Sequence, residues 1–267
     1  MEPVCVVAWV MAIGLVLTAP IALVHGVPSR VTGSAAGWLA LAGAGNVAGL
    51  ILTYAALRIG QVSLVVPLTS TEGAIAAVIA LLAGETLQPA VGVTLAVIVL
   101  GVVLSSLPTA EADLASDAAG RTRDVAGRLR HTRAAALALI AALSFGASLY
   151  ATARAGAEVP SAWVVLAARL VGTVALALPL GLAGKLRLPR RAVPLVLAAA
   201  VGEVAGFFSF ILGSRHGIAI TAVVSSQFAS LAAIGAYWLF GERLTRIQLA
   251  GVCTVILGVA ALSVLRA

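Results

Sequence analysis

The chain has 267 residues, of which 61% are hydrophobic and only 10% charged, with a mean hydropathy of +1.12. Soluble domains carry about 25% charged residues, so this composition excludes a water-soluble bundle. The net charge of +7 does not point to nucleic acid, because the basic residues fall between apolar stretches, where they orient membrane spans.

Stretches of about 20 apolar residues, long enough to cross a bilayer core as a helix, predict nine transmembrane helices. In chain order they cover 4–24, 35–57, 62–83, 89–107, 133–153, 161–182, 192–213, 218–240 and 246–265. The opening Met-Glu-Pro lacks the basic leader of a secretory signal peptide, so the first stretch is expected to stay as a span. Cys5 and Cys253 both fall inside spans and offer neither a disulfide framework nor metal-ligand spacing. Trp38, Trp163 and Trp238 lie near predicted span ends, where indole rings favour the interface. Most connectors are short. The exception, 108–132, carries all three aspartates (Asp113, Asp117 and Asp124) among several arginines and reads as a charged linker.

The two flanking regions repeat one another. At a fixed offset of 157, Gly45, Val47, Ala48, Gly49, Arg58 and Gly60 meet Gly202, Val204, Ala205, Gly206, Arg215 and Gly217. Gly84-Glu85 then meets Gly241-Glu242, and Gly101-Val102 meets Gly258-Val259. Five helices separate equivalent spans. That odd number turns the second copy upside down, which predicts an inverted-repeat helical bundle with a site near the midplane. The predicted organisation is 1–107, a four-helix repeat; 108–132, the linker; and 133–267, a five-helix repeat.

The phrase GERLTRIQLAGVCTVILGVAAL (241–262), its echo GETLQPAVGVTLAVIVLGVVL (84–104) and the run RIGQVSLVVPL (58–68) resemble the EamA-type repeat of the drug/metabolite transporter superfamily. The resemblance covers nearly the whole chain and implies a ten-helix transporter of two five-helix repeats. This chain departs from that pattern. Span 133–153 opens the second repeat, and 133 − 157 places its counterpart 24 residues before position 1. A first helix is expected to be missing.

No HExxH, GxSxG or P-loop is present and the histidines are scattered, so no catalytic residue, metal site or cofactor is expected. Ionisable groups inside spans cost roughly 2.5–3.5 kcal/mol at a helix centre and mark functional sites by default. Glu72 and Glu203 fall in mid-span, Asn46 stands at the place equivalent to Glu203, and Gln227 lies two positions from the equivalent of Glu72. These four are expected in one polar layer. Arg169 is the strong cation inside a span. It either anchors a solute carboxylate, neutralises one of the acids, or snorkels to an interface. The acids either serve solute and proton or lie protonated between helices, and Asn46 and Gln227 read first as interhelical hydrogen-bonders. The glycines of GNVAG and GEVAG form small-xxx-small faces for close helix approach. Gly84-Glu85 and Gly241-Glu242 read as a helix stop followed by an acid near the next helix's N-terminus.

These features point to a multi-pass protein of the cell membrane, a secondary transporter of a small organic metabolite or drug that works by alternating access with proton coupling. Its partners would be the small-molecule substrate and the lipid bilayer, with no nucleic acid; homodimerisation stays open. A non-transporting accessory or receptor protein and a passive facilitator are the other readings.

Arg58, Arg121, Arg123, Arg128, Arg130, Arg133, Lys185, Arg187, Arg190, Arg191, Arg243 and Arg246 fall on one side of the predicted topology. Arg30, Arg154, Arg215 and Arg266 fall on the other. Cytoplasmic connectors are rich in Lys and Arg, so the linker is expected inside. A cysteine at position 118 (Ala118→Cys) should react with an impermeant thiol reagent only after the membrane is opened, in a chain whose two native cysteines are replaced. Labelling in intact cells would reverse the orientation.

Overall fold

The computed structural model describes residues 3–28, 30–60, 62–105, 125–227 and 246–265. Its elements are all helical: α1 Pro3–Val24, α2 Gly33–Ile59, α3 Val62–Thr69, α4 Glu72–Leu82, α5 Pro89–Ser105 and α6 Val125–Glu158. Then follow α7 Ser161–Gly172, a π-helical turn Thr173–Ala177, α8 Leu178–Leu182, α9 Val193–Ser214, α10 Ile218–Ser225 and α11 Arg246–Leu265. Among the described residues five stretches are long and apolar enough to cross a membrane: Val4–Val24, Gly33–Ile59, Thr132–Glu158, Ser161–Leu182 and Arg190–Ser214. Such helices satisfy their peptide groups internally, as hydrocarbon requires. The chain is an all-helical, multi-pass membrane bundle.

Three predicted elements take a different form. Span 62–83 is two helices, α3 and α4, divided at Ser70–Thr71. Pro67 lacks an N–H, and the hydroxyls of Thr69 and Thr71 donate to the carbonyls of Val65 (3.1 Å) and Leu68 (2.7 Å), adding to the backbone bonds as the helix ends. Span 161–182 carries the π-turn after Gly172. The helix predicted at 133–153 runs from Val125 to Glu158, so the last part of the charged linker is helical. The remainder of the linker, residues 228–240 of the eighth span, Trp238 and the Gly241-Glu242 pair lie outside the described residues.

Glycines set how closely the helices approach. A Cβ on Gly45 would come 2.9 Å from the Ser144 carbonyl oxygen, and one on Gly49 2.6 Å from the Phe145 ring, so α2 lies flush against α6. The Ser148 hydroxyl donates to the Ala42 carbonyl (2.6 Å) across the same seam. Gly101 faces Val255 and Gly258 faces Ile98, which join α5 to α11. Gly172 faces Met11 and joins α7 to α1. Gly73 faces the Ala222 carbonyl and Ser226, so α4 crosses α10 beside the point where each chain leaves its helix.

Contacts between connectors define one end of the bundle. Thr32 and Ser34 donate to Glu158 Oε2 (2.7 and 2.8 Å), and the Trp163 indole N–H donates to the Gly26 carbonyl (2.8 Å). At the same end Glu85 accepts from the backbone N–H groups of Ile218 (3.1 Å) and Ala219 (3.2 Å). Glu85 therefore caps α10, 133 residues away in sequence, and not the helix that follows it, as its position in the chain suggested. A carboxylate on two orphan amides at a helix N-terminus satisfies both groups and the helix dipole together.

The repeated glycine pairs are packed differently. Among the described residues nothing lies within 4 Å of a Cβ on Gly202 or Gly206, on α9, whereas Gly45 and Gly49 are filled by α6. Gly45→Val should force α2 from α6, an overpacking cost of about 1–3 kcal/mol, seen as a lower unfolding midpoint in detergent. Gly202→Val should leave that midpoint unchanged. Equal losses would mean that the α9 face is covered as closely as the α2 face.

Candidate functional site

Helices α4, α6, α9 and α10 border a cavity of about 230 Å³ lined by Glu72, Leu149, Glu203, Phe207, Phe210 and Ser225, with Gly206 at its edge. Its position follows from the broken helix. Because α3 stops at Thr69, Glu72 is not in mid-helix but is the first residue of α4, where four backbone N–H groups have no intrahelical partner. Gly146 on α6 leaves room for the Glu72 carbonyl and Ile75, and Gly73 lets Ser226 approach. The acid thus stands where α4, α6 and α10 meet.

Glu203 enters the same cavity from α9 and is tied to Arg169. The guanidinium Nη1 lies 2.6 Å from Glu203 Oε1 and 3.2 Å from the Met11 sulfur, and its carbon sits 4.7 Å from the centre of the Phe207 ring. The side chain of Arg169 is 1% exposed and that of Glu203 30%, so the arginine is the buried member of the pair. Gly14 makes the room: a Cβ there would come 2.9 Å from Arg169 Cδ. An arginine in this setting is held by charge, by the ring face and by a soft sulfur, and it does not snorkel. Its Nε and Nη2 are buried without a hydrogen-bond partner among the described residues.

Of the five residues singled out in the sequence, Glu72, Glu203 and, through Glu203, Arg169 are brought together at one cavity. Gln227 lies just past the end of α10, where its Nε2 donates to the Val223 carbonyl (2.8 Å) and its Oε1 is buried without a partner among the described residues. Asn46 is buried on α2 with its Nδ2 without a partner among the described residues, and it does not line the cavity. Phe207 was not among the sequence candidates. Its place four residues from Glu203 on the same helix, and thus on the same face, was the signal that could have shown it. A larger cleft of about 480 Å³ opens at the other end between α1 and α2, but it is apolar except for Tyr54 and Arg58 and holds neither acid.

The model of the EamA-like transporter family matches residues 1–107 and 132–264 of this chain. No curated protein matches it. One solved crystal structure, 17% identical, aligns with a TM-score of 0.76 over 99% of this chain and 88% of its own, a likeness of fold.

The ion pair sets a testable pattern of effects. Glu203→Gln would leave Arg169 buried without a counter-ion, and Arg169→Leu would leave Glu203 unpaired. Each should cost about 3–5 kcal/mol, as breaking a buried pair does. The double replacement Arg169→Leu/Glu203→Gln should recover most of the unfolding midpoint in detergent. Additive losses would show that the two side chains do not stabilise one another.

Proposed function

The chain belongs to the EamA-like transporter family, and from that membership we propose that it is a secondary transporter of a small organic solute in the cell membrane. The observation that carries this reading is the meeting of Glu72 and Glu203 in one cavity beside a broken helix. Irregular backbone is tolerated at membrane depth only where protein or a cavity receives it, and discontinuous helices build the solute sites of many transporters. Ionisable groups there mark solute or ion pathways.

The two acids then have different work. Glu203 is engaged by Arg169, so it holds α9 to α7 and leaves Glu72 as the carboxyl free to take a proton or a solute amine. Proton exchange at Glu72 would couple the gradient to transport, and the unpartnered Nε and Nη2 of Arg169 would accept a solute carboxylate when α9 moves. Alternating access follows from an inverted repeat. That arrangement is supported by two pairs of helices related by the offset of 157 that pack on one another, α1 with α7 and α5 with α11.

Proteoliposomes test the reading with a panel of radiolabelled amino acids, amines and organic acids, with and without a proton gradient. Wild-type protein should accumulate at least one of them when the gradient is applied. Glu72→Gln, which keeps shape and removes the exchangeable proton, should abolish accumulation but retain solute-for-solute exchange. Uptake that ignores the gradient would make the protein a facilitator. No uptake above empty vesicles would make it a non-transporting partner.

A further inference from the structure

A second cavity, of about 490 Å³, opens at the end of the bundle where Glu85 caps α10, and polar atoms dominate its lining. It includes Arg154 from α6 and Arg215 and His216 from the end of α9, with Tyr150, Thr86 and Glu85. The same four helices bound both cavities. On α6 the inner cavity has Leu149 and the outer one Tyr150 and Arg154. On α9 the inner one has Phe207 and Phe210, and the outer one Ser214, with Arg215 just after it. On α4 they are marked by Glu72 and Ala80, and on α10 by Ser225 and Ile218. At 1.5 Å per residue, Phe210 and Ser214 are about 6 Å apart along the helix axis. The outer cavity is stacked directly on the inner one.

The charge of the outer cavity is positive. Among the described residues Arg154 and Arg215 form no ion pair within 4 Å, although Arg154 lies over the Trp38 ring at 5.8 Å and interacts at longer range with the exposed Glu158 carboxylate one turn along α6. The one carboxylate in the lining, Glu85, is already bound to two amides of α10. Two guanidinium groups therefore face the space against one carboxylate that a helix N-terminus has compensated. Arginine forks are suited to carboxylate and phosphate oxygens, and a low-dielectric cleft of one sign concentrates the opposite one.

We propose that this outer cavity is the entrance for the transported solute from that end of the bundle, and that Arg154 and Arg215 bind an oxyanion, carboxylate or phosphate, that the solute carries. The proposal rests on the transporter reading and narrows it to solutes with an oxyanion. Past the entrance the sign changes, because the next charged groups are Glu72 and the Arg169-paired Glu203. A solute that passes from one cavity to the other leads with its oxyanion at the arginines and can present a cationic or neutral group to Glu72.

The test needs no substrate. In a chain with Cys5→Ser and Cys253→Ser, Thr86→Cys reports on the outer cavity and Ser225→Cys on the inner one. Each is treated with a pair of small methanethiosulfonate reagents, one with an anionic sulfonate and one with a cationic trimethylammonium group. Rates are divided by those for a free thiol in solution. At Thr86→Cys the anionic reagent should be favoured by roughly tenfold, the scale of focusing in a charged cleft. Arg154→Gln/Arg215→Gln should remove that preference. At Ser225→Cys the preference should be reversed, and Glu72→Gln should weaken it. Equal normalised rates at Thr86→Cys, or a preference that survives loss of both arginines, would overturn the proposal.

Membrane lipid is the other source of an oxyanion at this end. The labelling is therefore run in vesicles of phosphatidylcholine alone and with phosphatidylglycerol added. An anionic preference in both supports solute entry. Its loss in the phosphatidylglycerol vesicles would assign the arginines to a lipid headgroup and overturn the entrance. Labelling does not depend on transport, so a charged entrance without gradient-driven uptake would count against the transporter reading alone.

Discussion

In hydrocarbon no water is at hand for a peptide group that leaves its helix, and each unpaired group costs several kcal/mol. Every break in this bundle has to meet that constraint, and the breaks are where the candidate chemistry lies. At the end of α3 the hydroxyls of Thr69 and Thr71 turn back onto helix carbonyls. At the end of α10 the side chains of Ser225, Ser226 and Gln227 do the same. Short polar side chains thus add hydrogen bonds to the helix-end carbonyls, and Gly73 brings one break against the other. Glu72 stands at the start of α4 beside this crossing, and the cavity lies there.

The second demand is a buried cation. Arg169 is offset by one carboxylate, a sulfur and an aromatic face, from α9, α1 and α9 respectively. Three spans are thereby fixed to one another by a single side chain, and Gly14 leaves the space for its stem. Replacing such a pair by apolar groups is often tolerated, while removing one member is not. The pair also separates the roles of two acids that share a cavity, since only Glu203 has a cation in contact.

The repeated glycines show how the same letters acquire different surroundings. On α2 they receive α6, with Ser144, Phe145 and Ser148 filling the face. On α9 no described residue fills the corresponding face, and the cavity that holds Glu72 and Glu203 reaches its edge at Gly206. The change from Asn46 to Glu203 falls on this difference: the amide is buried beside other helices, and the acid reaches a cavity.

The all-helical membrane class was legible in the sequence, which also singled out Glu72, Glu203 and Arg169 as candidates. Apolar length and the cost of charge in lipid act locally along the chain, so a linear reading captures them. The division of span 62–83 was not read, although Pro67 and the Ser-Thr cluster are its local cause, because apolar residues continue through the break and length alone favours one helix. Glu85 was read as capping its neighbour, whereas its partner amides lie 133 residues away; no local pattern specifies which helix end a carboxylate will reach. The burial of Arg169 and the stacking of the two cavities depend on four helices meeting at set heights. Only tertiary packing decides that, because the contacts that determine it join residues far apart in the chain.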